Sequence, residues 1–132
     1  MNNSIKLTPS QIRYMIWISR LSYDGCGVKN VELATALSFS KPSVHNMLKS
    51  LCEMGLVRQE AFGLAHFTEE GRILAKKYEI CFLFLEQKMR EFCGAAGASE
   101  AAICGLLADI PDEKINELYE KQKTGSEKTF PA

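Results

Sequence analysis

Between Ser40 and Gly55 the chain reads SKPSVHNMLKSLCEMG, and no other segment limits the fold as much. Val44, Met47, Leu48 and Leu51 recur at the spacing of one helix face. Ser40 is a good N-cap. Pro42 fits the first turn, where a backbone amide has no helical partner to lose. Gly55 stands where a left-handed C-terminal residue is expected. The helix so delimited, from about Lys41 to Met54, carries Ser43, His45, Asn46 and Lys49 off its apolar face. A helix that only packed a core would not need that polar, hydroxyl-rich start.

The flanking segments fix the architecture. Thr8 and Pro9 open a first helix over 8–23, with Ile12, Met15, Ile16, Ser19 and Leu21 at helical spacing. Asp24-Gly25-Cys26-Gly27 breaks it. A short helix over 29–37 follows, with Val31, Leu33, Ala34 and Leu37 as its buried side, and residues 38–40 make a tight connection. After Gly55 the helical period stops. Leu56-Val57-Arg58, Phe62-Gly63-Leu64 and Ala65-His66-Phe67 read as two short strands around a glycine turn. Helix, short helix, tight turn, helix and hairpin is the order of a winged helix-turn-helix. In that arrangement one helix N-terminus faces the major groove and the hairpin lies beside it. Free amides with the Ser40 and Ser43 hydroxyls suit a phosphate, Lys41 adds charge, Asn46 suits adenine, and Lys49 suits guanine or phosphate. The expected DNA-binding set is Ser40, Lys41, Pro42, Ser43, His45, Asn46 and Lys49, with Arg58 and His66 from the hairpin.

Downstream the chain is helical. Thr68, with Glu69 and Glu70 in the first turn, starts a long helix to about Phe92. Its segment 80–85 is apolar nearly all round and needs cover on more than one side. Gly94 to Gly97 breaks it, and helices from Ser99 to Ala108 and from Pro111 to Gln122 follow. The fold class expected is mainly α, a winged helix-turn-helix domain followed by a helical dimerisation region. The domains read as 8–70 for DNA binding, 71–122 for homodimerisation, and 123–132 as an unstructured tail.

Composition narrows the function. Sixteen basic and sixteen acidic residues give zero formal charge, so a nucleic-acid surface here is a local patch. No signal peptide or membrane-length apolar run is visible, and a cytoplasmic protein is expected. The five cysteines stand singly, without CxxC or zinc spacing, as reduced thiols do. No Ser/His/Asp set, acid pair or phosphate-binding glycine loop points to an enzyme.

The segments YMIWISRL, VELATALSFSKPSVHNMLKSLCEMGLV, HFTEEGRILAKK and AAICGLLADIPDE resemble the iron- and manganese-dependent repressors of the diphtheria toxin repressor type. The resemblance runs from about residue 10 to 122. It implies a winged-helix domain, a helical dimerisation domain and repression of metal-uptake genes in the metal-loaded state. It also implies DNA contact at Ser40, Pro42, Ser43 and Asn46. The third, β-rich domain of some members is not expected. The match departs at the metal site. The ligand positions fall at about Gln11 and Tyr14, near Phe82, and on or beside Cys104, Leu107 and Ala108. These do not supply the oxygen and imidazole donors that Mn²⁺ or Fe²⁺ requires. No metal ligand set and no cofactor is therefore expected; a thiophilic metal or oxidation at Cys81, Cys93 or Cys104 stays open. Two other readings compete: a small-molecule-responsive repressor of the multiple-antibiotic-resistance type with a pocket around Tyr78, Phe82 and Phe84, and a winged helix used as a protein-interaction module.

Overall fold

The computed structural model describes residues 5–22, 26–60, 63–94 and 97–129, with side chains to Lys123. The elements are α1 (Pro9–Leu21), β1 (Val28–Lys29), α2 (Asn30–Leu37), α3 (Lys41–Glu53), β2 (Val57–Gln59), β3 (Leu64–Phe67), α4 (Glu69–Cys93), α5 (Glu100–Asp109) and α6 (Asp112–Thr129). They group into two units. One is Tyr14–Lys76; the other joins Met1–Arg13 to Lys77–Ala132. The expected break at Asp24-Gly25, the strand position of Phe62 and part of the Gly94–Gly97 break lie outside the described residues.

In the unit Tyr14–Lys76, side-chain chemistry sets the helix boundaries. The Ser40 hydroxyl accepts from the Ser43 amide at 3.2 Å, so α3 begins where the serine can satisfy an orphan donor. At its other end Gly55 has φ +80°, and the Leu56 amide returns to the Leu51 carbonyl at 3.0 Å. The α2–α3 turn uses Ser38 in the left-handed region (φ 60°), with the Phe39 amide on the Ala34 carbonyl at 3.0 Å. That conformation is uncommon for a residue with a Cβ. The turn lets Leu33, Ala34 and Leu37 of α2 share a core with Val44, Leu48 and Leu51 of α3. Met15, Ile16 and Ile18 of α1 and Leu56, Val57 and Ala65 of the wing are buried too. Each fully buried Val, Leu, Ile or Met side chain among them contributes about 1.5–3 kcal/mol. Val31, expected on the buried side of α2, is 47% exposed. The buried set 33, 34 and 37 forms one stripe, and a residue two before Leu33 lies some 200° around the helix.

The wing is three-stranded and antiparallel in the order β1-β3-β2. The two expected strands pair as Val57↔Phe67 and Arg58↔His66, and the unexpected β1 adds Val28↔Ala65. The long helix α4 starts at a capped threonine, as expected. Thr68 Oγ1 accepts from the Gly71 amide at 3.0 Å. The same hydroxyl donates to the Gly55 carbonyl at 2.7 Å, and the Thr68 amide donates to the Leu56 carbonyl at 3.0 Å. The start of α4 is thereby fastened to the end of α3.

In the other unit, α1 opens with a reciprocal cap. The Thr8 hydroxyl accepts from the Gln11 amide at 3.1 Å and the Gln11 side-chain oxygen accepts from the Thr8 amide at 2.9 Å. Leu7, Ile12, Tyr78, Cys81, Phe82, Ile103, Cys104, Leu107 and Ile115 are its buried apolar residues. The segment 80–85 is incompletely covered, with Ile80, Phe84 and Leu85 half-buried. Cys81 and Phe82 are buried, while Leu83 is 52% exposed; further along α4, Phe92 is 85% exposed. The sixth helix continues to Thr129, seven residues beyond the expected end, so the tail read from residue 123 starts inside a helix. Among the described residues no helix is long and apolar enough to cross a membrane.

Candidate nucleic-acid interface

Burial separates α3 into two faces. Val44, Leu48 and Leu51 point to the core, and Lys41, Pro42, Ser43, His45, Asn46 and Lys49 are exposed, as is the capping Ser40. Positions 42, 45, 46 and 49 follow a three-to-four spacing, so they form one stripe along the helix. At the N-terminal end the Ser40 and Ser43 hydroxyls lie 3.0 Å apart in a hydrogen bond. The first turn holds no acidic residue. The positive end of the helix dipole therefore faces solvent with two hydroxyls and Lys41 beside it, a setting that favours an anion. Among the described residues no carboxylate pairs with Lys41, Lys49 or Arg58. Arg58 is exposed on β2.

His66 is placed differently from the other eight candidates. Its side chain is 26% exposed, and Nε2 lies 3.3 Å from Glu60 Oε2. The two atoms are close enough to attract when the ring is charged, yet misaligned for a hydrogen bond, so Nε2 is buried without a hydrogen-bond partner among the described residues. The ring also lies against Gly27; a Cβ on Gly27 would stand 2.8 Å from His66 Cε1. The structure thus turns His66 toward Glu60 and the β1 strand. Sequence reasoning missed the link between helix and wing made by Gln59 Nε2 and Asn30 Oδ1 at 3.3 Å. No local periodicity could have shown it, because it depends on the two-residue strand β1.

The positions that the resemblance assigns to metal ligands are already employed. The Gln11 side-chain oxygen caps α1. Tyr14 is buried and stacked on Phe39, with ring centroids 6.0 Å apart. Phe82, Cys104 and Leu107 are buried, and no charged or polar side chain is buried among the described residues. No group of three His, Cys, Asp or Glu there is placed to hold a metal ion. A hard divalent cation would lose its water with no anion to offset the cost. The residues do not fit the family's metal. The aromatic stripe of the small-molecule reading is packed as well: Tyr78 and Phe82 are buried and Phe84 is half-buried.

Comparison with known proteins agrees with this geometry. Residues 23–61, less than half of the chain, match the profile of the IclR helix-turn-helix domain. No curated protein sequence matches. Among solved structures, the chain is similar to the hypothetical protein SSo2273 from Sulfolobus solfataricus (24% identity, TM-score 0.59, 87% of this chain and 88% of that one). It is similar to the manganese regulator SloR (21%, 0.64), covering 89% of this chain and 55% of that one, so it spans about half of SloR. It is also similar to Lactococcus lactis ZitR in complex with DNA (18%, 0.56, 98% and 80%). At these identities the likeness concerns the fold, and the chain carries a winged helix-turn-helix of the kind found in DNA-binding transcriptional regulators.

Proposed function

We propose that this chain is a sequence-specific, DNA-binding transcriptional repressor that acts as a homodimer in the cytoplasm and is not an enzyme. The observation that carries the reading is the exposed stripe of α3: a capped, acid-free N-terminus followed by Asn46 and Lys49 on one face. Ser40, Lys41, Ser43 and Lys49 suit phosphates, and His45 and Asn46 suit base edges. Pro42 holds the first turn. Arg58 extends the cationic patch on the wing, and His66, its cross-strand partner, completes the assigned DNA-facing set. Residues 8–70 form the DNA-binding domain in this reading. Residues 71–122 form the dimerisation region, where half-exposed Leu83 and Leu106 and nearly bare Phe92 supply apolar surface for a second copy.

The test is a footprint on DNA upstream of the protein's own gene, followed by affinity measurements over a range of salt. If Lys41, Lys49 and Arg58 of both copies meet phosphates, log K should fall against log salt with a slope of roughly −5. Binding that ignores salt, or no protected site, would favour the protein-interaction reading. Sedimentation showing a monomer at tens of micromolar would remove the homodimer.

A further inference from the structure

Residues 6–13 run alongside α5 in the opposite direction and are tied to it at both ends. Arg13 Nε meets Glu100 Oε1, on the first residue of α5, at 2.8 Å, with the side chains only 30% and 24% exposed. Lys6 Nζ donates to the carbonyl of Ile110, the C-cap of α5, at 3.5 Å. Between the two ties Leu7 and Ile12 are buried, as are Ile103, Cys104 and Leu107 of α5. Of the positions that the resemblance gives to a metal, Gln11, Cys104 and Leu107 lie in these same segments, Gln11 committed to the helix cap and Cys104 and Leu107 to the core.

We propose that the Arg13–Glu100 ion pair is a permanent clamp that holds the start of α1 on α5, and that DNA affinity in this chain depends on the clamp and not on a divalent cation. The second half of this statement rests on the DNA-binding reading above. The physical case has two parts. A charge pair shielded on both sides from water keeps more of its attraction than an exposed one. And α1 is one continuous helix whose later residues Met15, Ile16 and Ile18 are buried, so loosening its first turn loosens a core element.

The experiment uses the full chain with two readouts. Amide hydrogen exchange at Ile12 and Met15 should rise about fivefold in Arg13→Met and in Glu100→Gln, and fall back in the charge-swapped pair Arg13→Glu with Glu100→Arg. DNA affinity should drop by a similar factor in the single variants. In the parent protein it should agree within twofold between chelator and added Mn²⁺. Unchanged exchange in both single variants would overturn the clamp, and a tenfold gain in DNA affinity on adding Mn²⁺ would overturn metal independence. A parent protein that binds no DNA would refute the regulator reading, while the exchange data would still decide the clamp. Thermal melts of each variant separate loosening of α1 from global unfolding.

Discussion

Gly71→Ala should destabilise the protein by about 2–4 kcal/mol, although the substitution replaces glycine by the best helix former near the start of a long helix. Propensity alone argues for a gain of about 0.8–1 kcal/mol. Packing argues against it and is larger. A methyl group on Gly71 would overlap the Leu56 carbonyl oxygen and stand 2.8 Å from its carbon and 3.1 Å from the Leu56 Cα, all backbone atoms that cannot rotate away. Relief requires the α4 start to move off the α3 exit. That movement strains the bonds from the Thr68 amide to Leu56 (3.0 Å) and from the Thr68 hydroxyl to Gly55 (2.7 Å). Each bond contributes about 1 kcal/mol net, and forced overpacking adds about 1–3 kcal/mol. Subtracting the propensity gain leaves about 2–4 kcal/mol. Urea denaturation would show it as a lower midpoint at unchanged m. Gly105→Ala is the control, because Gly105 lies inside α5 with no heavy atom within 4 Å of the new Cβ. There the propensity term acts alone, and a gain of about 1 kcal/mol is expected. If Gly71→Ala is as stable as the parent, the close approach of α4 to Leu56 is not what requires the glycine.

Asn46→Ala should weaken binding to the preferred site by roughly 1–3 kcal/mol and relax base preference, whereas Lys49→Ala should weaken all sequences alike and lower the salt slope by about one. Quantitative gel shifts on matched and scrambled DNA separate the two, and unchanged binding in both variants would mean that α3 is not the reader. Iodoacetamide at pH 8 should label exposed Cys26 and Cys93 first and Cys81 last, by mass spectrometry: Cys81 is buried, its Sγ lies 3.7 Å from the Ile115 carbonyl, and burial pushes its thiol up to about 11. Equal rates for Cys81 and Cys93 in the folded protein would contradict that placement. Alkali should unfold the chain early. Burial, then the nearby Asp112, push Tyr78 up to about 12 from 10.0, and Cys81 rises from 9.0. Both groups hold their protons more tightly when folded, so their stabilisation is complete below pH 9 and is lost from pH 9 to 12, by a few kcal/mol for the neighbouring pair together. Thermal melts at pH 8 and 11 that agree would refute this.

What the sequence showed well was local chemistry. Thr8, Ser40 and Thr68 cap helices, and Gly55 takes the left-handed conformation, because a cap needs only the residue and the three or four that follow it. The stripe of α3 was visible for the same reason, since its period is contained in one helix. What escaped depends on partners far along the chain. β1 is two residues long and exists only because β3 offers it a ladder. Val31 and Leu83 are apolar but belong to faces left uncovered. The end of α6 was read too early because a charged, polar helix carries no apolar periodicity to follow.

The same distinction governs the candidate site. A residue type can show that a position is able to meet DNA, but only the fold shows whether the side chain is already occupied. Lys41, Lys49 and Arg58 were chosen for charge, and no carboxylate among the described residues claims them, so their charge remains available to phosphate. His66 enters the set for its place in the hairpin, yet Glu60 and Gly27 stand against its ring. Gln11 makes the point in reverse. As a metal ligand it is a weak neutral donor, but three residues after Thr8 it completes a reciprocal helix cap that a carboxylate bound to a cation could not serve equally well. The Gln11 side chain is thus already occupied within the first turn of α1, at a position where a capping box accepts either glutamine or glutamate.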